Sequence, residues 1–433
     1  MDDDSSDDAS DDDSSDDTSK LDPVTSNICE AQGEAKCYYA APNATGTGTI
    51  EEPGNLHALL PSLSAGDYLY LFDGVYDQYA DNGDSSWIID LNKYFYFTQP
   101  EPTEAAPVTI TGYPTHDAII QGDDNRRCIL VDGQSHLVFK NIIVEHCYNE
   151  GMRLGWDIPE QGIVLDDVEF REITYNNNAG FVYIQGYEDV VIQNSTFHDY
   201  KGTQGSEWGN YLQIFQAIDV EIKDNYFYGK GGGIYYKHGE SETNRGGFTK
   251  VHGNRFENLT RHGIYTNQNR TEIYDNLFIN TDGVIVHQED GTRPPFTQDV
   301  NIHHNTFVDS SIILNQGSNN GSYMDAYGLG AKHATIRNNL MQDSNYRIWV
   351  YGTDEQYDEG IDLESNDNCF YNESGSMTIK YFSADSFGEK GQDYNLSGWQ
   401  SAGYDVNSLE QPLQLDSNYE LPAGSACSFA GRR

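Results

Sequence analysis

Ile222-Lys-Asp-Asn225-Tyr-Phe227, Val251-His-Gly-Asn254-Arg-Phe256, Ile273-Tyr-Asp-Asn276-Leu-Phe278, Ile302-His-His-Asn305-Thr-Phe307 and Ile336-Arg-Asn-Asn339-Leu-Met341 are one phrase repeated. An aliphatic residue leads, Asn stands three places on, and Phe or Met follows two places later. Looser copies precede it: Val138-Phe-Lys-Asn141, Val164-Leu-Asp-Asp167 and Ile192-Gln-Asn-Ser195-Thr-Phe197. The Asn-to-Asn steps of 29, 22, 29 and 34 residues vary around one period, and a period of about 20–50 residues signals a solenoid. The segments between are short, period-two and rich in β-branched and aromatic residues, with Asn, Asp and Gly breaking them. Asn suits a tight turn because it tolerates left-handed dihedrals. Stacked coil on coil, its amide can build a hydrogen-bonded ladder while the Phe stacks inside. The fold expected is all-β, a single-stranded right-handed parallel β-helix over 65–370.

A solenoid exposes its first coil and needs a cap. Asn55-Leu-His-Ala-Leu-Leu60 predicts a short helix with Asn55 as N-cap and Gly66 as stop. Residues 23–64 then form an N-terminal extension and cap. Residues 371–433, where the repeat fades, form a C-terminal cap with Trp399, Tyr404 and Cys427. Residues 1–22 are an acidic spacer: the first 20 hold ten Asp and one Lys, with no apolar residue to bury beyond Met1 and an alanine. The whole 433-residue chain carries a net charge of −44, which repels phosphate backbones and excludes a general nucleic-acid binder. No apolar run reaches the roughly 20 residues of a membrane span. The even set Cys29, Cys37, Cys128, Cys147, Cys369 and Cys427 has no zinc spacing and permits disulfides in an oxidising compartment. Cys29 with Cys37 is the favoured local pair, and Cys128 with Cys147 can pair if they fall on neighbouring coils.

Tyr38-Tyr-Ala-Ala-Pro-Asn43, Gly46-Thr-Gly48, Pro53, Ala65-Gly-Asp67 and Asp73-Gly-Val-Tyr76 resemble the opening of secreted β-helix enzymes that act on polysaccharides. The pectate lyase, alginate lyase and chondroitinase B families share that opening, and the Asn-x-Phe coils are similar to theirs. The resemblance covers roughly 37–370 and implies a β-helix that works on polysaccharide. The tail is similar to the acidic spacers of bacterial surface lipoproteins. That likeness implies export, a cell-surface or secreted location, and membrane tethering through a removed lipidated anchor. A monomer is expected.

The strands ahead of each Asn turn align as Val182-Tyr-Ile-Gln185, Leu212-Gln-Ile-Phe215, Ile234-Tyr-Tyr-Lys237, Ile264-Tyr-Thr-Asn267, Val284-Ile-Val-His287, Ile312-Ile-Leu-Asn315 and Ile348-Trp-Val-Tyr351. Alternation turns the first and third residues inward and the second and fourth outward. The outward columns are aromatic and amide-rich and hold Lys237 and His287. Half of the 12 histidines fall between residues 230 and 304. Tyr and Trp stack on sugar rings and hydrogen-bond hydroxyls. Tyr183, Tyr265, Asn267, Gln268, Arg270 and Trp349 are therefore the candidate substrate-binding residues.

A polysaccharide lyase neutralises a uronate, removes the C5 proton and protonates the leaving O4. Lys237 is the first candidate base, since cations such as His238 would lower its pKa. His287 is the second, and Tyr235 or Tyr265 is the candidate acid. Glu289 and Asp290 are candidate ligands for calcium, the expected cofactor. The resemblance to alginate lyase and chondroitinase B implies a base at Lys237 and roles for Arg261 and His262 in Arg261-His-Gly263. It does not extend to that family's two calcium-binding Glu, because Lys230-Gly-Gly-Gly233 stands there. The function expected is β-elimination of a uronic-acid polysaccharide. The residues leave open a β-helix glycoside hydrolase, whose two carboxylates would sit on the flanks, a uronan epimerase, and a non-catalytic surface glycan-binding protein.

Overall fold

The computed structural model describes residues 35–79, 87–92, 94–155, 160–174, 180–202, 209–237, 248–286, 299–316, 333–350, 363–373, 375, 379–382 and 392–432. The chain winds as a parallel β-helix. Each full coil lays down a strand in each of three columns, and each strand pairs in parallel with its counterpart one coil on. In one column Glu188–Gln193, Ile218–Lys223, Thr249–His252, Thr271–Tyr274 and Val300–His303 follow one another. The second runs through Thr196–His198, Tyr226–Tyr228 and Arg255–Glu257. The third contains Gly180–Gln185, Asn210–Phe215, Gly232–Lys237 and Ile264–Thr266. Parallel strands buried on their inner face need apolar residues there, and Ile222, Val251, Ile273, Ile302 and their neighbours are buried to 0–1% exposure.

The turn between the first two columns is where the repeated phrase acts. Asn225, Asn254, Asn276, Asn305, Asn339 and Asn368 stack in a ladder, each Nδ2 donating to the Oδ1 of the next at 3.0–3.1 Å. The same Oδ1 atoms accept the backbone N–H of the preceding rung. The ladder Asn is not itself the left-handed residue, contrary to the reading from sequence. That conformation belongs to the residue before it: Asp224, Gly253, Asp275, His304, Asn338 and Asp367 have φ of 53–67°. The division is physical: a residue that is at least part-exposed makes the bend, and the buried Asn satisfies the backbone groups the bend leaves unpaired. Inside, Phe170, Phe197, Phe227, Phe256, Phe278 and Phe307 stack at 4.7–5.2 Å between centroids.

At the C-terminal end the last Asn amide donates to Asp405 Oδ1 at 2.8 Å. Asp405 also accepts from Ser365 Oγ, Ser408 Oγ and Trp399 Nε1, and burial pushes its carboxyl pKa up despite these donors. Trp399 lies on the helix Leu396–Ser401. At the other end Asn55 caps the helix Leu56–Leu59 by accepting from the N–H groups of His57 and Ala58. A 3₁₀ turn, Leu60–Ser62, follows, and Gly66 takes φ +83°. Parallel pairing extends past the expected limits. Cys37–Ala40 pairs with Tyr68–Leu71 before the cap, and Ile379–Phe382 pairs with the strand Asn345–Val350. Cys128–Cys147 joins neighbouring coils, and Cys369–Cys427 ties the last turns together. Cys37 is also disulfide-bonded, while Cys29 lies outside the described residues. Among the described residues no helix is long and apolar enough to cross a membrane.

Candidate active site

The third strand column presents the candidate face. Its register reproduces the sequence alignment from Val182 to Ile312: Tyr183, Gln213, Tyr235, Tyr265, Ile285 and Ile313 share one outward row. Two differences follow. The row begins earlier, because Arg153 pairs with Tyr183, Leu130 with Arg153 and Asp90 with Leu130. Sequence reading missed Arg153 because its strand, Met152–Leu154, has three residues, too few for alternation to show; extending the row one coil back would have found it. At the far end the register slips by two, a shift that preserves which face a residue occupies. Arg347 pairs with Ile313, and Trp349 pairs with Asn315. Trp349 therefore belongs to the row of Gln185, Phe215 and Lys237 and not to that of Tyr235.

Arg153 is held from several sides. Its Nη1 donates to Glu150 at 2.6 Å, Nε to the Gly155 carbonyl at 3.2 Å and Nη2 to Gln185 Oε1 at 3.2 Å. Arg127 lies 3.6 Å from the other Glu150 oxygen. The Arg153 guanidinium sits 4.2 Å from the Tyr183 ring centroid, and Phe215 stacks on Tyr183 at 5.1 Å. Both faces of Tyr183 are thus occupied, and Arg153 also engages its hydroxyl. Burial raises the Tyr183 pKa and Arg153 opposes it.

One coil beyond Gln213, Tyr235 and Tyr265 meet edge-on at 4.8 Å, and both are part-exposed. His262 stands behind them, its ring 6.0 Å from Tyr235 and 5.3 Å from Tyr265. It was expected to act on substrate, but it is 2% exposed. The glycine run admits it: a Cβ on Gly232 would fall 2.7 Å from His262 Nε2 and 2.5 Å from Asn210 Oδ1. In the run where the resemblance asks for calcium-binding Glu, the side-chain space of Gly232 is therefore filled by a buried imidazole. Among the described residues no group of three His, Cys, Asp or Glu is placed to hold a metal ion, and Glu289 and Asp290 lie outside those residues.

Burial, with Arg261 adding to it, drives the His262 pKa well below the ordinary value of 6.5. The ring stays neutral in the fold while the unfolded chain protonates. Its stabilising contribution is complete above about pH 6.5 and is lost as pH falls. The stability advantage of the parent over His262→Gln is expected to shrink by up to about 1.4 kcal/mol per pH unit between about pH 6 and 5. Urea unfolding of both proteins at pH 7, 6 and 5 measures it. A constant difference would mean that His262 takes up a proton in the fold as readily as outside it.

Gln268, a candidate substrate contact, points inward at 1% exposure. Its N–H bonds Thr266 Oγ1 at 3.0 Å, so the chain bends after Thr266 and the alternation stops. Asn267 remains part-exposed on the outward side. Arg270 takes φ +51° in the turn before Thr271–Tyr274, and Arg261 precedes the strand Ile264–Thr266; both are part-exposed. Lys237 ends the strand Gly232–Lys237, paired with Phe215. His287 and His238 lie outside the described residues. The other histidines of the cluster serve a different sheet. His252, Tyr274 and His303 stack there at 4.6 and 5.2 Å, and Glu221 and Glu272 hold the two imidazoles.

A family model described as a right-handed β-helix region matches residues 115–247. No curated protein matches the chain in sequence. Among solved structures, the alginate lyase AlyGC of polysaccharide lyase family 6 is 15% identical, with a TM-score of 0.51, 92% of this chain covered and 56% of that one. An arginine-to-alanine variant of it gives 13%, 0.53 and the same coverage. This chain thus spans little more than half of that lyase. The family 6 polysaccharide lyase Pedsa3628 from Pseudopedobacter saltans is 12% identical with a TM-score of 0.50, covering 92% of this chain and 96% of its own. At these identities the likeness establishes the fold, a right-handed parallel β-helix shared with polysaccharide lyases. Disulfides in such a fold are consistent with an extracytoplasmic protein.

Proposed function

We propose that the protein is a polysaccharide lyase that cleaves a uronic-acid polysaccharide by β-elimination. The observation that carries this reading is the part-exposed pair Tyr235 and Tyr265, in edge contact on the outward row, with Lys237 two residues along the same strand, in a fold shared with polysaccharide lyases. Lys237, as the free amine, takes the C5 proton. The C4–C5 double bond forms as the C4–O4 bond breaks, and the Tyr235 hydroxyl delivers a proton to O4. His287 is the second candidate base. Arg261 and Arg270 bracket the strand of Tyr265 and supply positive charge for the uronate. Asn267 and Tyr265 bind sugar hydroxyls. His262 touches no substrate in this scheme and acts as a positioning residue behind both tyrosines.

Hydrolysis asks for two carboxylates about 5–9.5 Å apart across the bond. Among the described residues Asp90 and Glu150 lie on or beside the row, 4% and 1% exposed, with Glu150 committed to Arg153, and Asp282 is exposed on the strand of Ile285; the flanking Glu207, Glu240, Glu242, Glu289 and Asp290 lie outside those residues. The protein is further proposed to work outside the cytoplasm as a monomer, with the acidic residues 1–22 as a spacer from a surface anchor.

The test is a screen of alginate, pectate and glycosaminoglycans for the ultraviolet absorbance of an unsaturated uronate. The expected result is a rise on at least one of them. New reducing ends without absorbance would show hydrolysis, and binding without either would show a glycan-binding protein. An EDTA arm tests calcium: loss on chelation with recovery on added calcium shows a metal requirement, which Glu289→Gln and Asp290→Asn then localise, and full activity in EDTA removes calcium from the reaction.

A further inference from the structure

The outward row is not equally open along its length. Toward the N-terminal coils Asp90, Leu130, Arg153 and Gln213 are 4%, 8%, 8% and 0% exposed. From Tyr235 onward the same row, through Tyr265, Ile285 and Ile313, is part-exposed. An outward position on a solenoid strand is exposed by default, so burial on one side of one row marks a closed end. Tyr183 is part-exposed on the closed side, but Arg153 and Phe215 cover its two ring faces. We propose that the face is a groove closed at its N-terminal end by a wall of Arg153, Tyr183, Gln213 and Phe215, so that the enzyme works from a chain end. This deepens the lyase reading and rests on it for the position of the cut.

Strand register sets the size of the closed part. Gln213 pairs with Tyr235 and Phe215 with Lys237, so the wall stands one strand spacing, about 4.8 Å, from the proposed base. That leaves room on the closed side for a single sugar. A polymer threading through would have to displace the stacked Tyr183–Phe215 pair and an arginine fixed by Glu150 and Gln185. A chain end needs no such displacement.

The experiment follows product size and viscosity in the first few per cent of conversion of a long uronan, with absorbance reporting the cut. A monosaccharide is expected to dominate from the earliest sample, with viscosity falling late. A ladder of longer oligosaccharides with early viscosity loss would overturn the closed end while leaving the lyase reading intact. If absorbance stays flat but reducing ends appear, the same size profile judges the groove and only the chemistry changes. If no glycan is cut, both readings fall. Tyr183→Ala with Phe215→Ala is expected to lengthen the first product by one or two sugars, with folding checked by thermal unfolding. An unchanged product from the folded variant would overturn the assignment of the wall.

Discussion

Lys237→Ala lowers turnover on the cleaved glycan by about 10²–10⁴, the usual contribution of a positioned general base, and leaves the thermal midpoint close to that of the parent. The direction follows from where the residue stands. Lys237 is the last residue of the strand Gly232–Lys237, and the inward positions of that strand are the fully buried Ile234 and Tyr236. Substituting the last residue of the strand leaves both of these core residues in place, and a change clear of the core usually stays within about 0.5 kcal/mol. Tyr235→Phe is the companion, since it removes the proton donor and keeps the ring that meets Tyr265. Initial rates measured by absorbance, with the midpoint measured alongside, separate chemistry from folding. Near-full activity in both Lys237→Ala and His287→Ala would place the base elsewhere.

Asn276→Leu destabilises the fold by about 3–5 kcal/mol, at the top of the range for single substitutions. Asn276 is fully buried. Its Oδ1 accepts from the N–H and the side-chain amide of Asn254, both at 3.0 Å. Its Nδ2 reaches the carbonyls of Val251 and Tyr274 and the Oδ1 of Asn305. Leucine has a similar volume and none of these groups, so several buried donors and acceptors on three coils lose partners at once. Urea unfolding measures the loss, and a value below about 1 kcal/mol would show that water or a neighbour repairs the gap. Asn280→Gly is the control, since glycine accepts the φ of +49° held there. The Asn280 amide also bonds along the turn stack, to Asn258 Oδ1, but it is exposed, and its loss is expected to stay near 0.5 kcal/mol.

Much of this architecture is legible in the chain because its rules are local and repeated. The Asn phrase, the Phe stack and the inward residues of the third column recur often enough for alternation to fix the face. What escaped depends on backbone events that leave no pattern. Thr266 Oγ1 capturing the N–H of Gln268 ends the strand early and turns that amide inward. The burial of His262 depends on the missing side chain of Gly232, and a glycine run in sequence reads equally well as a turn. Trp349 was placed two residues out of register because Tyr346 and Ile348 are both acceptable inward residues, and only continuous pairing from Ser311 with Asn345 decides between them. The left-handed residue was placed one position late, since Asn and Asp tolerate that conformation alike.

The Asn ladder has a polarity that no single rung reveals. Every amide points its NH₂ toward the C-terminal coils, so the column is a row of aligned dipoles beginning at an accepting oxygen beside the Ser195 N–H and finishing at a donating nitrogen on Asn368. Asp405 meets the donating end with an accepting carboxyl oxygen. Lengthening by duplication is therefore unequal along the molecule. A coil copied between Asn225 and Asn368 slots its amide into the row and both neighbours stay bonded. A coil appended after Asn368 separates the row from its carboxylate, so the terminus grows only by moving Asp405 with its Ser365, Ser408 and Trp399 partners as one block.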